Sequence, residues 1–140
     1  MKRKIIISFT MFLFFCVFSM AEENSVDNES FYSLNFRKYP NQDIYAKFEY
    51  PNQQVLLSID ESHLYLSFYE NNSLFSNNKT LLTEDIQKET NLKISTLSGN
   101  IFFINISRIS ENEIKFIIRS NVSESNFEYI SKDLYDSLTL

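Results

Sequence analysis

The sequence contains few of the residues that common active sites and metal sites require. Among its 140 residues there are one Gly, one Cys, one His and no Trp. A phosphate-binding loop, a dinucleotide fingerprint and a nucleophile elbow each need more than one glycine, so none of them is present. A Cys/His zinc cluster, a redox-active CxxC pair and a disulfide framework are excluded in the same way. These absences predict a protein that is not an enzyme and holds no metal or cofactor.

The first 21 residues are typical of a secretory signal peptide. Lys2, Arg3 and Lys4 give a positive start, and an apolar stretch of about 14 residues follows over residues 5–18. Because a membrane span needs about 20 residues, we predict cleavage after Ala21 rather than an anchor. We therefore expect export to the periplasm, the cell surface or the medium. The Ile-, Asn-, Lys- and Phe-rich composition favours a bacterial source.

Removal of this segment leaves an acidic chain. Ten basic and all 18 acidic residues remain, which corresponds to a net charge of −8. Such a chain is poorly suited to a phosphate backbone, so we expect no nucleic-acid partner. Residues 22–30 are polar and acidic and predict a disordered lead-in. Residues 31–140 are expected to form a single β domain, monomeric and, after cleavage, not integral to a membrane.

From residue 31 onward, apolar and polar residues alternate with the period of two that half-buried strands show. The pattern is clearest over residues 44–50, 55–59 and 64–69, and in a predicted hairpin of residues 101–109 and 114–119. Short turns between such segments predict an antiparallel meander of about eight or nine short strands. We expect an all-β fold, either a small up-and-down barrel of the lipocalin type or a β-sandwich. The comparison with lipocalins is architectural only, because no lipocalin motif is present.

Asn takes the place of Gly in the predicted turns. Residues 71–79 hold four Asn and two Ser and predict a loop. Asn tolerates the left-handed backbone that tight turns require, so we expect it to serve at the turn positions. These are Asn52, Asn71, Asn72, Asn77, Asn78, Asn100 and Asn112.

Two segments are compatible with a short helix. Acidic residues after Thr83 would favour the start of a helix near residues 83–90. Near the C terminus, apolar residues over 125–137 have helical spacing, but two short strands at 127–130 and 134–140 fit as well. We favour the strands there, because Phe, Tyr and Ile prefer pleated surfaces.

The leading hypothesis for function is a small apolar ligand held inside a barrel. Barrels of about eight strands have room either for a side-chain core or for one such ligand. The residues expected to line the interior are Phe36, Phe48, Leu57, Leu66, Phe68, Ile104 and Phe116.

The alternative hypothesis is a periplasmic or cell-surface protein-interaction module of the adhesin kind. Tyr45, Tyr65 and Tyr69 fall on the nominally polar faces of two strands, where exposed aromatic rings would form a binding surface. Cross-strand packing of amphipathic Tyr explains the same positions without a partner.

A third hypothesis is a hydrolase built on the only His. His63 follows Asp60 and Glu61 closely, so carboxylates and an imidazole lie together in the sequence. A polar hairpin turn accounts for these residues equally simply, and we favour the turn. The sequence thus predicts a binding protein whose partner, a small apolar molecule or a protein, stays open.

Overall fold

The computed structural model describes residues 29–82 and 89–139, and over these residues the chain forms nine strands and one short helix. The all-β prediction is confirmed. The predicted signal peptide and residues 22–28 of the predicted lead-in lie outside the described residues. The elements are β1 (Ser30–Arg37), β2 (Ile44–Tyr50), β3 (Gln53–Ile59), β4 (His63–Glu70), β5 (Ser73–Leu81), β6 (Glu89–Ser95), β7 (Ile101–Ser110), β8 (Glu113–Ser120), β9 (Asn126–Tyr129) and α1 (Lys132–Leu138).

The strands form two antiparallel sheets. One has five strands in the order β9-β2-β3-β4-β5, and the other has four in the order β1-β8-β7-β6. Within the described residues, no strand of one sheet pairs with a strand of the other sheet. The hairpins β2–β5 and β6–β8 form the predicted meander, whereas the first strand pairs with β8 and the last with β2. None of these pairings closes the strands into a barrel, so the barrel stays a prediction.

The two sheets share one hydrophobic core. Alternate residues of strands from both sheets belong to a single buried cluster. The Phe48 ring of β2 stacks on the Phe116 ring of β8, with 5.6 Å between centroids. The Phe102 ring of β7 contacts Tyr50 at 5.0 Å and Phe68 at 6.0 Å. Because burial of one such side chain contributes about 1.5–3 kcal/mol, these contacts hold the sheets together.

The prediction of a loop over residues 71–79 is wrong, because most of that segment is strand β5. Only Asn71 and Asn72 form the turn, and both have left-handed backbone, with φ of 52° and 67°. Two such residues suit the tight hairpin turn that matches the twist of the sheet. Asn77 and Asn78 are therefore strand residues, and polar side chains are tolerated there because β5 is the edge of its sheet.

The other predicted turns are present, but the expected left-handed Asn is found in only one of them. Asn52 adopts φ 63° in the turn between β2 and β3, as expected. Asn100 and Asn112 lie between strands but have no positive φ, and Gly99 with φ 93° is the left-handed residue of its turn. The left-handed Asn41, also at φ 63°, was not predicted.

The C-terminal segment combines the two alternatives. The strand expected near 127–130 is present as β9, but the second strand near 134–140 is wrong, because α1 occupies that position. The Ser131 side chain caps the helix by accepting a hydrogen bond from the backbone N–H of Leu134 at 3.1 Å. Lys132 and Asp136, four residues apart, form an ion pair at 2.7 Å. The cap and this pair favour a helix locally. The helix expected near 83–90 lies outside the described residues up to residue 88, and residues 89 and 90 begin β6.

Candidate functional site

The seven residues expected to line an interior all lie in the shared core. Each is at most 2% exposed, namely Phe36, Phe48, Leu57, Leu66, Phe68, Ile104 and Phe116. Their inward placement is as predicted. Several of their rings contact one another or other core rings across the space between the sheets. Their role in holding a ligand stays a prediction.

The three tyrosines of the alternative hypothesis lie on the outer face of the five-stranded sheet, and each is half-buried. The Tyr135 ring of α1 contacts Tyr45 on β2, with 5.0 Å between centroids. Burial raises the pKa of Tyr69 on β4, and Tyr135 is close enough to raise it further. The helix thus packs against β2, with Tyr135 near tyrosines of both β2 and β4. Tyr65 contacts His63 at 5.7 Å and lies under the ammonium of Lys79 at 6.0 Å.

The residues around His63 form a polar turn. The Asp60 carboxylate accepts hydrogen bonds from the backbone N–H groups of Ser62 at 2.9 Å and His63 at 2.8 Å. Glu61 accepts from the Lys38 ammonium at 2.7 Å, and this bond is the first cause of its lowered pKa. Ser62 and Asp60 both approach Nδ1 of His63, at 2.8 and 3.9 Å. A relay would need them on opposite ring nitrogens, so this geometry is that of a turn. Within residues 29–82 and 89–139, no group of three or more acidic, His or Cys residues is arranged to hold a metal ion.

The outer face of the four-stranded sheet carries a feature that the sequence analysis missed. In the strand register, Phe31 of β1 is opposite Arg119 of β8, Arg119 is opposite Phe103 of β7, and Phe103 is opposite Lys93 of β6. We call these four residues the cation–aromatic row. Aromatic and cationic side chains alternate in it across the full width of the sheet.

The aromatic side chains of the row are open to solvent. Phe31 is 60% exposed and Phe103 is 41% exposed. The Arg119 guanidinium lies 5.3 Å from the centroid of the Phe103 ring, and the Lys93 ammonium lies 5.8 Å from it. Both distances are within the range of cation–π attraction, which orients the cations around the ring.

A shallow groove accompanies the row. It has a volume of about 330 Å³ and is lined mainly by the row together with Ile117, Asn105 and Asn91. The Asn105 amide donates to Asn91 at 2.8 Å and to Glu89 at 3.2 Å, which fixes the polar floor beside the row. The groove thus offers apolar surface, two cations and ordered amides in one place.

One acidic residue already lies close to the row. Glu29 directly precedes β1, and partial burial raises the pKa of its carboxyl while the Arg119 charge lowers it. The Arg119 charge offsets the effect of burial only in part, so the pKa of the Glu29 carboxyl remains raised.

A separate polar network ties one end of the four-stranded sheet to the other sheet. The Gln53 amide donates to Thr96 at 3.2 Å and to Ser98 at 3.1 Å, in the turn between β6 and β7. Glu70 accepts from the Leu97 backbone N–H at 3.2 Å and from the Ser98 hydroxyl. The Ser98 hydrogen bond is the first cause of the lowered pKa of Glu70. The network is structural, since it joins a turn to the opposite sheet.

The alternation of the sequence could have indicated the row. Phe31, Phe103 and Arg119 occupy the alternate positions of their strands at which polar residues also occur. An aromatic residue at such a position is expected to be exposed on the outer face of the sheet. Phe103, at 41% exposed, lies at such a position.

A comparison with protein-family models, with curated proteins and with solved structures finds no match to the chain. In the described part of the chain, no helix has the length and apolar character needed to cross a membrane.

Proposed function

We propose that the chain is an exported, non-enzymatic protein-interaction module whose binding face is the outer face of the four-stranded sheet. The observation that carries this proposal is the cation–aromatic row on a sheet face that no described element covers. Clustered exposed apolar surface rimmed by polar groups is typical of an interaction site. Aromatic residues and Arg are also the residues that contribute most to binding energy at interfaces.

The proposal keeps the hypothesis of a protein-interaction module. It places the binding surface on the four-stranded sheet rather than on the tyrosines of the five-stranded sheet. The core favours this choice over an interior ligand. A ligand between the sheets would have to separate ring pairs such as Phe48–Phe116 and Phe68–Phe102. Separating close-packed rings in a core costs several kcal/mol, which a small ligand would have to offset. We accordingly infer a sandwich of two sheets rather than a ligand-holding barrel.

The chemistry of the row supports one class of partner. Phe31 and Phe103 provide apolar area, and Arg119 and Lys93 provide charge for carboxylates. We infer an acidic polypeptide segment that also carries apolar or aromatic side chains. A nucleic acid is disfavoured because the formal charge of the chain is −5 even with the signal segment included, so a polyanion is repelled by the rest of the surface.

The test is a titration of the isotope-labelled protein with a short synthetic peptide of alternating Glu and Phe. We expect NMR shift changes centred on outward residues of β6, β7 and β8. Replacing Arg119→Gln together with Lys93→Gln should weaken binding about tenfold or more, since both charge-assisted contacts are lost. The matched control is Lys79→Gln, because Lys79 makes the corresponding cation–π contact on the other sheet.

Three outcomes would contradict the proposal. One is shift changes confined to the five-stranded sheet, and another is equal loss of affinity in the Lys79→Gln control. The third is saturable uptake of a hydrophobic fluorophore that lipids displace and the double variant leaves unchanged, because that result would place the ligand in the interior.

A further inference from the structure

We propose that two copies of this chain associate by antiparallel pairing of their β6 strands, which joins the two four-stranded sheets into one sheet of eight strands. The sequence analysis expects a monomer, and this proposal replaces that expectation. It is carried by an open strand edge and by a self-complementary charge pattern, both in residues 89–95. It does not depend on the acidic partner proposed above, because the association needs no other molecule.

β6 forms one edge of the four-stranded sheet, and in the described part of the chain it pairs with β7 alone. Directly beyond β6, the Thr96 N–H donates to the Asn100 carbonyl at 2.8 Å, on the side of β7. Because the backbone groups of successive residues alternate in direction along an antiparallel strand, the even-numbered residues of β6 bond to β7. The backbone groups of Glu89, Asn91 and Lys93 therefore point away from β7, toward the open edge.

The charges of β6 match those of a second copy of β6. In an antiparallel pair centred on Asn91, Lys93 of one copy lies opposite Glu89 of the other, and twofold symmetry gives this contact twice. The two Asn91 residues then face each other at the symmetry axis. All three residues have backbone groups that point to the open edge, so the register that pairs the charges also forms the hydrogen bonds between the strands.

Glu89 and Lys93 are available for this contact. Both residues are exposed on the outer face of the sheet. Glu89 accepts a hydrogen bond from the neutral Asn105 amide at 3.2 Å, and the Lys93 ammonium lies 5.8 Å from the centroid of the Phe103 ring. Neither contact neutralises the charge, so a second copy can match both charges.

The other edge strands of the two sheets have a different charge pattern. β1 contains one charged residue, Arg37, whose guanidinium lies 3.5 Å from the Glu113 carboxylate. The charged residue of β5 is Lys79, and that of β9 is Glu128. A strand with charge of one sign cannot form opposite-charge pairs with a copy of itself. Self-association through a strand edge is therefore favoured at β6.

Pairing would also bury apolar surface at the margin of the core. Leu92 and Ile94 pack against the core but are only half-buried. In the register centred on Asn91, Leu92 lies opposite Thr90 of the second copy on this inner face. The contact area of one strand edge is small, so we expect a weak dimer whose population depends on concentration.

The association would double the proposed binding face. Residues directly opposite each other in an antiparallel pair point to the same side of the sheet, so the outer faces of both copies coincide. Two cation–aromatic rows would then lie on one continuous face, with Lys93 of each row next to the joint.

Sedimentation equilibrium over a roughly hundredfold range of protein concentration tests the association. At physiological ionic strength, the repulsion between two acidic chains is screened beyond about 8 Å. We expect the average mass to rise from that of one chain toward twice that value. Lys93→Glu and Glu89→Lys should each weaken the association about tenfold or more, because each replaces two attractive contacts with two repulsive ones. Lys115→Glu is the matched control, since Lys115 is exposed on the same outer face but lies on the central strand β8.

Two combinations of these changes separate the proposed register from misfolding and from a general effect of charge. Mixing the two single variants should restore association, because each chain then meets the opposite charge at both positions. Combining Lys93→Glu with Glu89→Lys in one chain should restore self-association, since the contact is reversed while the net charge equals that of the parent. A misfolded variant would be rescued in neither case.

Amide hydrogen exchange identifies the strand edge. The amides of Asn91 and Lys93 should exchange more slowly as the protein concentration rises, whereas those of Leu92 and Ile94, which bond to β7, should change little. A constant mass of one chain over the whole concentration range would overturn the inference. Association that survives both single charge reversals would also overturn it, as would protection that rises at β1, β5 or β9 instead of β6.

Discussion

Apolar residues on the outer faces of the two sheets differ in how far they are exposed to solvent. On the five-stranded sheet, Leu56 of β3 points away from the core yet is 0% exposed. On the four-stranded sheet, Phe31 and Phe103 point away from the core and are 60% and 41% exposed. The first face also carries the helix α1, whose Tyr135 ring contacts Tyr45. An outward apolar residue stabilises the fold only to the extent that it is removed from water.

Both faces also place cations over aromatic rings. Lys79 lies 6.0 Å from the Tyr65 ring on the covered sheet, and Lys93 lies 5.8 Å from the Phe103 ring on the open sheet. The local contact is alike, but among the described residues only the Phe103 ring on the open sheet has a second cation, Arg119, beside it. The proposed binding face thus differs from the other face in its exposed aromatic rings and in the number of cations around one ring.

The largest expected effect concerns the free energy of unfolding. Leu56→Ala should lower it by about 2–5 kcal/mol, because the change leaves a cavity beneath a covered face. Phe103→Ala should change it by less than about 1 kcal/mol, because its ring is 41% exposed on the outer face and its cation–π contacts are with solvent-facing cations. Urea denaturation of both variants measures the contrast. Similar losses in the two variants would show that the two faces do not differ in packing.

The sequence was sufficient for most strands and for the composition of the core. The alternation of apolar residues placed Phe48, Leu57 and Phe116 inside, and all three are buried. Strand β5 was missed because Asn- and Ser-rich segments have low strand propensity. It is a strand because the edge of an existing sheet offers backbone hydrogen bonds to any sequence that fits.

The cation–aromatic row could not be predicted because it depends on which strands become neighbours. Phe31 and Arg119 are distant in the sequence and meet only because the first strand pairs with β8. A simple meander would have placed β1 beside β2 instead. The covering of Tyr45 likewise depends on α1, a segment whose helical and strand patterns fit equally well.

A smaller effect is expected at the cap of α1. Ser131→Ala removes the acceptor of the Leu134 N–H and should cost the helix about 1 kcal/mol. Hydrogen exchange of the α1 amides should then accelerate about fivefold, and the Tyr45 ring should become more accessible to solvent. Ser137→Ala is the control, since the Ser137 hydroxyl only donates to the Leu134 carbonyl at 2.8 Å. Unchanged exposure of Tyr45 after loss of the cap would mean that α1 does not cover this face.

The smallest effect is a pH dependence of the tie between the two sheets. The pKa of Glu70 is lowered first by the Ser98 hydroxyl and further by Gln53 and the Leu97 N–H. A lowered pKa in the folded state contributes stability above the ordinary value of 4.5, and this stability is lost as the pH falls through the lowered value. Because Glu70 is open to solvent, the change in global stability should be slight.

Its local consequence is measurable, because protonated Glu70 is a weaker acceptor for the Leu97 N–H at the turn between β6 and β7. The Leu97 amide should shift and exchange faster below this pKa, and Glu70→Gln should abolish the pH dependence, whereas Glu124→Gln should leave it intact. If the turn loosens while the shifts and exchange rates of the Lys93 and Phe103 amides stay unchanged, the four-stranded sheet is held rigid by the pairing of its own strands. If those amides change too, the open face depends on its tie to the covered sheet, and the two faces are mechanically coupled rather than independent.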